Sequence, residues 1–282
     1  MGLYSDILLT ADFDRTLTDL QGNIPQKNIE AICYFMENGG TFTVNTGRSI
    51  PYAREVVERV PMNAPLLAYN GAVAVENGEI LFCHTIALPM EETLKTVCEA
   101  FPDLSVALHG LSAHYDFQPH GLWEQAIHKG NTIHLRAKTG VNYGPFIKFN
   151  VYCYSKGGAM DTLFSGKPEE IARVDAAEQW LRETYAGKLE VYRSGAKLLN
   201  VQAAGVSKLN GARQLQKCLY KRILVCVGDE GNDLPMLEGA DYAYCPADGA
   251  LADRFPNVCA CGDGAIADAI YQKIPNILEN NP

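Results

Sequence analysis

The chain has 282 residues, enough for one large domain or two modest ones, and its 47% hydrophobic and 20% charged content fits a folded chain with a sizeable core. A formal net charge of −9 argues against sequence-independent nucleic-acid binding, which needs a basic face, yet leaves room for a local cation or metal to attract an anionic substrate. No apolar run reaches the roughly eighteen residues of a membrane span, and the start of the chain has no basic stretch of a signal peptide. Nine cysteines, scattered mostly within apolar runs, read as reduced thiols of a cytoplasmic protein. Cys259 and Cys261 are a close pair with no second pair at zinc spacing.

The first element is the apolar run Ile7 to Ala11, a strand that leads into Asp12-Phe13-Asp14-Arg15-Thr16. Extended backbone would put Asp12 and Asp14 on one face at the carboxyl end of a buried parallel strand, where open α/β sheets place their chemistry. Two crowded carboxylates there ask for a cation, a nucleophile with its acid/base partner, or both. A helix follows over Pro25 to Asn38, ended by Gly39-Gly40, then a strand over Thr41 to Asn45 with Thr46-Gly47-Arg48 at its end. Ser49 caps a further helix to Val60, and Leu66 to Tyr69 is a third buried strand ending in Asn70-Gly71. Ala72 to Cys83 is a hairpin around Asn77-Gly78.

From about Ile86 to Lys188 the character changes to an α+β insertion: a helix (Met90 to Phe101), a strand (Leu104 to Leu108), a loop-rich middle holding four of the six histidines, a strand (Ile147 to Tyr154) and a helix within Pro168 to Tyr185. Gly187 is the expected exit, and the α/β rhythm returns at Leu189. Leu198 to Gln202 is strand-like, Ser207 caps a helix through Leu219, and Ile223 to Val227 is a buried strand that ends in Gly228-Asp229-Glu230-Gly231-Asn232-Asp233. Asp263-Gly264 starts a last helix.

Asp12 with Asp14, then Thr46-Gly47-Arg48, then Lys208, then Asp229 with Asn232-Asp233, in that order and with an insertion between the second and third, resemble the haloacid-dehalogenase-like (HAD) superfamily. The likeness is to its Cof-type subclass IIB phosphatases, supported by Asn70-Gly71-Ala72, Gly205-Val206-Ser207-Lys208 and Asp263-Gly264. The resemblance implies a Rossmann-like parallel-sheet core from residues 1–84 and 189–282, with an α+β cap over 85–188 that closes over the core and carries substrate specificity.

It further implies a phosphatase of small phosphorylated metabolites, sugar phosphates or similar, working through an aspartyl-phosphate. Asp12 would be the nucleophile, Asp14 the acid and base, and Lys208 the catalytic cation. Magnesium would be held by Asp12, Asp14 (through its main-chain carbonyl), Asp229 and Asp233. Thr46, Gly47, Arg48, Asn70 and Asn232 would lie near the phosphate or the substrate. The expected assembly is a monomer or small homo-oligomer, with no nucleic-acid or membrane partner. The same aspartyl-phosphate could be passed to a hydroxyl, as in a phosphomutase or phosphotransferase. A non-catalytic HAD-like module would lack one of the key aspartates, and a dinucleotide-binding oxidoreductase would show a G-x-G-x-x-G after the first strand. Two positions depart from the family pattern: Arg15 and Leu209 stand where glycine is usual, so Arg15 has either an ordinary φ or a strained one.

Overall fold

The computed structural model describes residues 2–154 and 165–280. Strand β1 (Ile7–Ala11) is followed by α1 (Gln26–Glu37), β2 (Thr41–Val44), α2 (Ile50–Arg59), β3 (Leu66–Ala68), β4 (Val73–Glu76) and β5 (Glu79–Cys83). Next come α3 (Met90–Ala100), β6 (Ser105–His109), β7 (His114–Gln118), α4 (Leu122–His128), β8 (His134–Arg136), β9 (Lys148–Tyr152), α5 (Pro168–Thr184), β10 (Leu189–Arg193) and β11 (Leu198–Ala203). The chain ends with α6 (Lys208–Cys218), β12 (Ile223–Val227), α7 (Leu234–Gly239), β13 (Tyr242–Pro246), β14 (Asn257–Val258), α8 (Ala265–Asp268), a π-helical turn (Ala269–Lys273) and α9 (Ile274–Asn280).

Two compact units result. One takes the chain up to Arg48, Tyr52–Cys83 and everything from Ser207 onward; the other takes Ser49–Pro51 and His84–Val206. The first is built on a parallel sheet in the order β14-β13-β12-β1-β2. β1 lies between two parallel neighbours and is buried on both faces, which is why it reads as a continuous apolar run. Its alternate side chains enter two cores: Ile7, Leu9 and Ala11 meet Ile32, Phe35 and Ile266, while Leu8 meets Leu215, Leu224 and Leu237. Leu66–Ala68 touches this sheet through one parallel bridge, Asn45 to Leu67, but its ladder is antiparallel to β4 in a separate three-stranded sheet.

The second unit is a six-stranded sheet in the order β10-β11-β9-β6-β7-β8. Strand alternation sorts β9 cleanly: Phe149 and Val151 pack with Leu94 and Val97 of α3 and Val174, Ala177 and Leu181 of α5, leaving Lys148, Asn150 and Tyr152 on the opposite face. The unit is larger than the 85–188 read from the sequence. Leu189–Arg193 pairs antiparallel with Leu198–Ala203, which in turn pairs antiparallel with β9, so the chain leaves this unit at Val206 and not at Gly187. A hairpin of apolar-alternating strands looks the same in either sheet, and only its partner decides. The loop-rich middle also holds more order than its sequence suggests, with β7, α4 and β8 inside it.

Candidate active site

Register builds the site. β1 and β12 run parallel with Ala11 opposite Val227, and the Asp12 N–H extends the ladder by donating to the Val227 carbonyl at 2.9 Å. Asp12 therefore stands beside Gly228-Asp229 at the carboxyl ends of the two strands. On the other side the Asn45 N–H donates to the Ala11 carbonyl at 2.8 Å, which brings Thr46 to the same edge. Three chain segments far apart in sequence converge by main-chain pairing alone.

Lys208 is the centre of the charge cluster. It opens α6, is fully buried, and its Nζ lies 2.6 Å from Asp12 Oδ1 and 2.6 Å from Asp233 Oδ1. The helix start is held by Ser207, whose hydroxyl accepts from the Asn210 N–H, and by Asn45, whose side-chain amide donates to the Lys208 carbonyl at 2.8 Å. Gly71 and Gly211 let the β3–β4 turn press against this helix: a Cβ on Gly211 would lie 2.5 Å from the Gly71 Cα. Asp233 Oδ2 accepts from the main-chain N–H groups of Asp229 and Glu230, at 3.1 and 3.0 Å, so one carboxylate ties the loop after β12 to Lys208. Gly228 leaves the space for it, since a Cβ there would lie 2.5 Å from the Asp233 carboxyl carbon.

Asp12, Asp229 and Asp233 are all buried, and each offers an oxygen within 4.8 Å of the others. Among the described residues this is the one group of three metal-ligating side chains so placed. Burial drives the Asp12 carboxyl well above its ordinary range; Lys208 pulls it back, and Asp233 and Asp229 push it further up. Burial and the charge of Asp233 likewise raise Asp229 to about 7, although the Thr16 hydroxyl donates to its Oδ1 at 2.7 Å. Burial disfavours the Lys208 ammonium, but Asp12 and Asp233 outweigh it and raise the lysine above its usual value. Three carboxylates thus face one ammonium, an arrangement of hard oxygen donors with acid to spare. It fits a divalent cation such as magnesium.

Asp14 is not one of the buried carboxylates. The strand ends at Ala11 and the backbone turns, so the Asp14 carboxylate is about half exposed and takes a two-pronged contact from Arg48, at 2.6 and 2.9 Å. Its side chain is not part of the acidic trio. Arg48 also bonds Glu55 at 2.9 Å and lies over the Phe13 ring, so here it is a carboxylate clamp and does not point freely at a phosphate site. Hydrogen bonds to Asp14 and Glu55 raise its pKa against the opposing effect of burial.

The remaining expected residues do meet. Thr46 is buried, donates its N–H to the Leu67 carbonyl, and its hydroxyl accepts from the Arg48 N–H at 3.1 Å. Asn70 has φ +54° and its Oδ1 accepts from Asn232 Nδ2 at 3.1 Å. A Cβ on Gly47 would lie 2.8 Å from that same oxygen, so any larger residue there would displace the Asn70 side chain. Arg15 takes the strained alternative, with φ +61°, its N–H donating to Thr18 Oγ1 and its guanidinium 3.4 Å from Glu230. Thr16, Asn45 and Glu55 escaped the sequence reading. Thr16 lies within the motif already singled out, and Asn45 sits at a strand's carboxyl end, but nothing local marks Glu55.

The family model for haloacid dehalogenase-like hydrolases matches residues 9–250. The chain belongs to that family. This hydrolase is 25% identical to a phosphoglycolate phosphatase of Aeropyrum pernix over 272 residues, 94% of this chain and 91% of the relative. Its fold matches a haloacid dehalogenase-like hydrolase from B. subtilis with a TM-score of 0.77 at 17% identity, covering 94% of this chain and 99% of the other. It also matches a HAD subclass IIB sugar phosphatase with a TM-score of 0.70 at 17% identity, covering 93% and 97%. None of its described helices is long and apolar enough to cross a membrane.

Proposed function

We propose that this hydrolase is a magnesium-dependent phosphatase of small phosphorylated metabolites, sugar phosphates or similar, acting through an aspartyl-phosphate. The observation that carries the reading is the buried contact of Asp12 with Lys208, inside a trio of carboxylates at the carboxyl ends of β1 and β12. Asp12 attacks phosphorus, and its C–O–P bond forms as the ester P–O bond breaks. Lys208 holds Asp12 in place and offsets charge on the transferring group. Asp14 gives a proton to the departing alkoxide and later takes one from the water that cleaves the acyl phosphate. For that role it must exchange its bond to Arg48, so Arg48 is a positioning residue for the acid. Thr46, Gly47, Asn70 and Asn232 form the polar wall beside the phosphate.

Asp12, Asp229, Asp233 and the main-chain carbonyl of Asp14 would hold magnesium. The ion would supply charge neutralisation for the phosphoryl oxygens. The second unit would act as the cap that carries substrate specificity.

The reading is tested by phosphate release from a panel of phosphate monoesters, with magnesium and with chelator, for the native chain and for Asp12→Asn. Asp12→Asn is expected to lose turnover by at least about a thousandfold while keeping its circular dichroism. A variant that keeps its rate overturns the nucleophile, and a rate indifferent to chelator overturns the metal. Transfer of phosphate to an added alcohol in place of release would mark a phosphotransferase.

A further inference from the structure

The second unit carries a polar row with no part in the chemistry above. Paired positions across the sheet read His134 on β8, His114 on β7, His109 on β6, Lys148 on β9, Gln202 on β11 and Glu190 on β10. These side chains share the face opposite the apolar core. His134, His114, His109, Lys148 and Gln202 are all buried. The His109 and His114 rings lie 4.0 Å apart, and His114 shares a 2.7 Å hydrogen bond with Ser49 of the same unit.

His109 is the informative member. It is 7% exposed, and neither of its ring nitrogens has a hydrogen-bond partner. A buried imidazole with both nitrogens idle is costly unless something else meets it. Burial and then its neighbours His114, Lys148 and His134 act against its protonation, and His114 and Lys148 flank it in the row. Lys148 donates to the neutral Asn200 Oδ1 at 2.8 Å. Among the described residues paired along this row, the carboxylates Asp116 and Glu190 lie toward its two ends. Asp116 is 3.3 Å from His134 Nδ1, with its Oδ1 unpartnered, and Glu190 on the edge strand accepts from the Gly205 N–H. The middle of the row is therefore a run of buried bases, and three imidazoles do not converge there as a metal site would require.

We propose that His109 and Lys148 form an oxyanion-binding site in the second unit, one that takes a carboxylate or phosphate group. An oxyanion would accept from a His109 ring N–H and from Lys148 Nζ beside it, giving the idle imidazole the partner it lacks. If the group belongs to the substrate, the substrate is a phosphate ester bearing a second acid. That specification rests on the phosphatase reading; the site itself does not.

The test titrates inorganic phosphate, and separately acetate, into the full chain without divalent cation, following histidine ring resonances. A saturable shift of the His109 and His114 rings is expected, weakened at least tenfold in Lys148→Met and retained in Lys148→Arg. No saturable shift in the native chain, or the same shift in Lys148→Met, overturns the site. Should Lys148→Met fail to fold, His109→Gln serves in its place with the same expectation. A second arm compares kcat/KM for phosphate esters with and without a carboxylate. A native preference for the acidic ester that falls at least tenfold in Lys148→Met supports the substrate as the source; ring shifts without such a preference support free phosphate. If the native chain hydrolyses no ester, the phosphatase reading fails, and the titration still decides the site.

Discussion

The two units bury ionisable groups in opposite ways. At the carboxyl ends of β1 and β12 the buried charges are of both signs and in contact, Lys208 lying 2.6 Å from each of two aspartates. On the polar face of the second unit the buried groups at the middle of the row are bases, and burial pushes them toward their neutral forms: Lys148 falls to about 7 and His114 to about 2, with His109 well below its ordinary value. Pairing keeps a charge ready for chemistry; neutralisation keeps a fold intact until an anion comes to call the charge back.

The largest break of this contrast is Lys208→Met. Removing the one ammonium leaves Asp12 and Asp233 buried together, and unfolding stability at neutral pH should fall by about 3–5 kcal/mol, read by denaturant melts. Magnesium should recover much of that loss if the trio binds it. Lys148→Met should do the reverse. It removes a buried ammonium together with its hydrogen bond to Asn200, and stability at pH 7 should lie between unchanged and about 2 kcal/mol higher.

The pH dependences should differ in sign. Asp229 is raised from 3.8 to about 7, so the metal-free fold binds more protons than the unfolded chain across that window. Its contribution is present below pH 3.8 and is lost as pH rises through 7, and magnesium should flatten the slope. Lys148 is lowered from 10.5 to about 7, so there the unfolded chain binds more protons. Its contribution is full above pH 10.5 and is lost as pH falls through 7, by at most about 1.4 kcal/mol per pH unit. The advantage of Lys148→Met over the native chain should grow as pH falls across that same window, as measured by paired melts. The smallest effect belongs to Arg15→Gly. It relieves a left-handed φ but loosens the unfolded chain and loses an exposed ion pair, and the net change should stay within about 1 kcal/mol in either direction.

Much of the first unit was legible because its signals are local. Continuous apolar runs at Ile7–Ala11 and Ile223–Val227 could only be doubly buried strands, and each runs out into polar residues at its carboxyl end. Ser207 marks the start of α6 and so places Lys208 at the first position of that helix. What escaped depends on partners. Arg48 could not be assigned to Asp14 and Glu55 from spacing, since its bonds cross a turn and a helix. The second unit was harder still. His114 and His134 sit on short strands with weak alternation, and their alignment with His109 and Lys148 exists only once the sheet register is known.

The contact of Gly71 with Gly211 has a mechanical meaning. Side chains at an interface act as springs, able to change rotamer and absorb a displacement; two bare backbones meeting have no such compliance. The first turn of α6 therefore rests on a hard stop, and a Cβ on Gly211 at 2.5 Å from the Gly71 Cα could be admitted only by moving the helix itself. Lys208 stands three residues before that stop, so the tolerance of the ammonium's position is the tolerance of a main-chain contact.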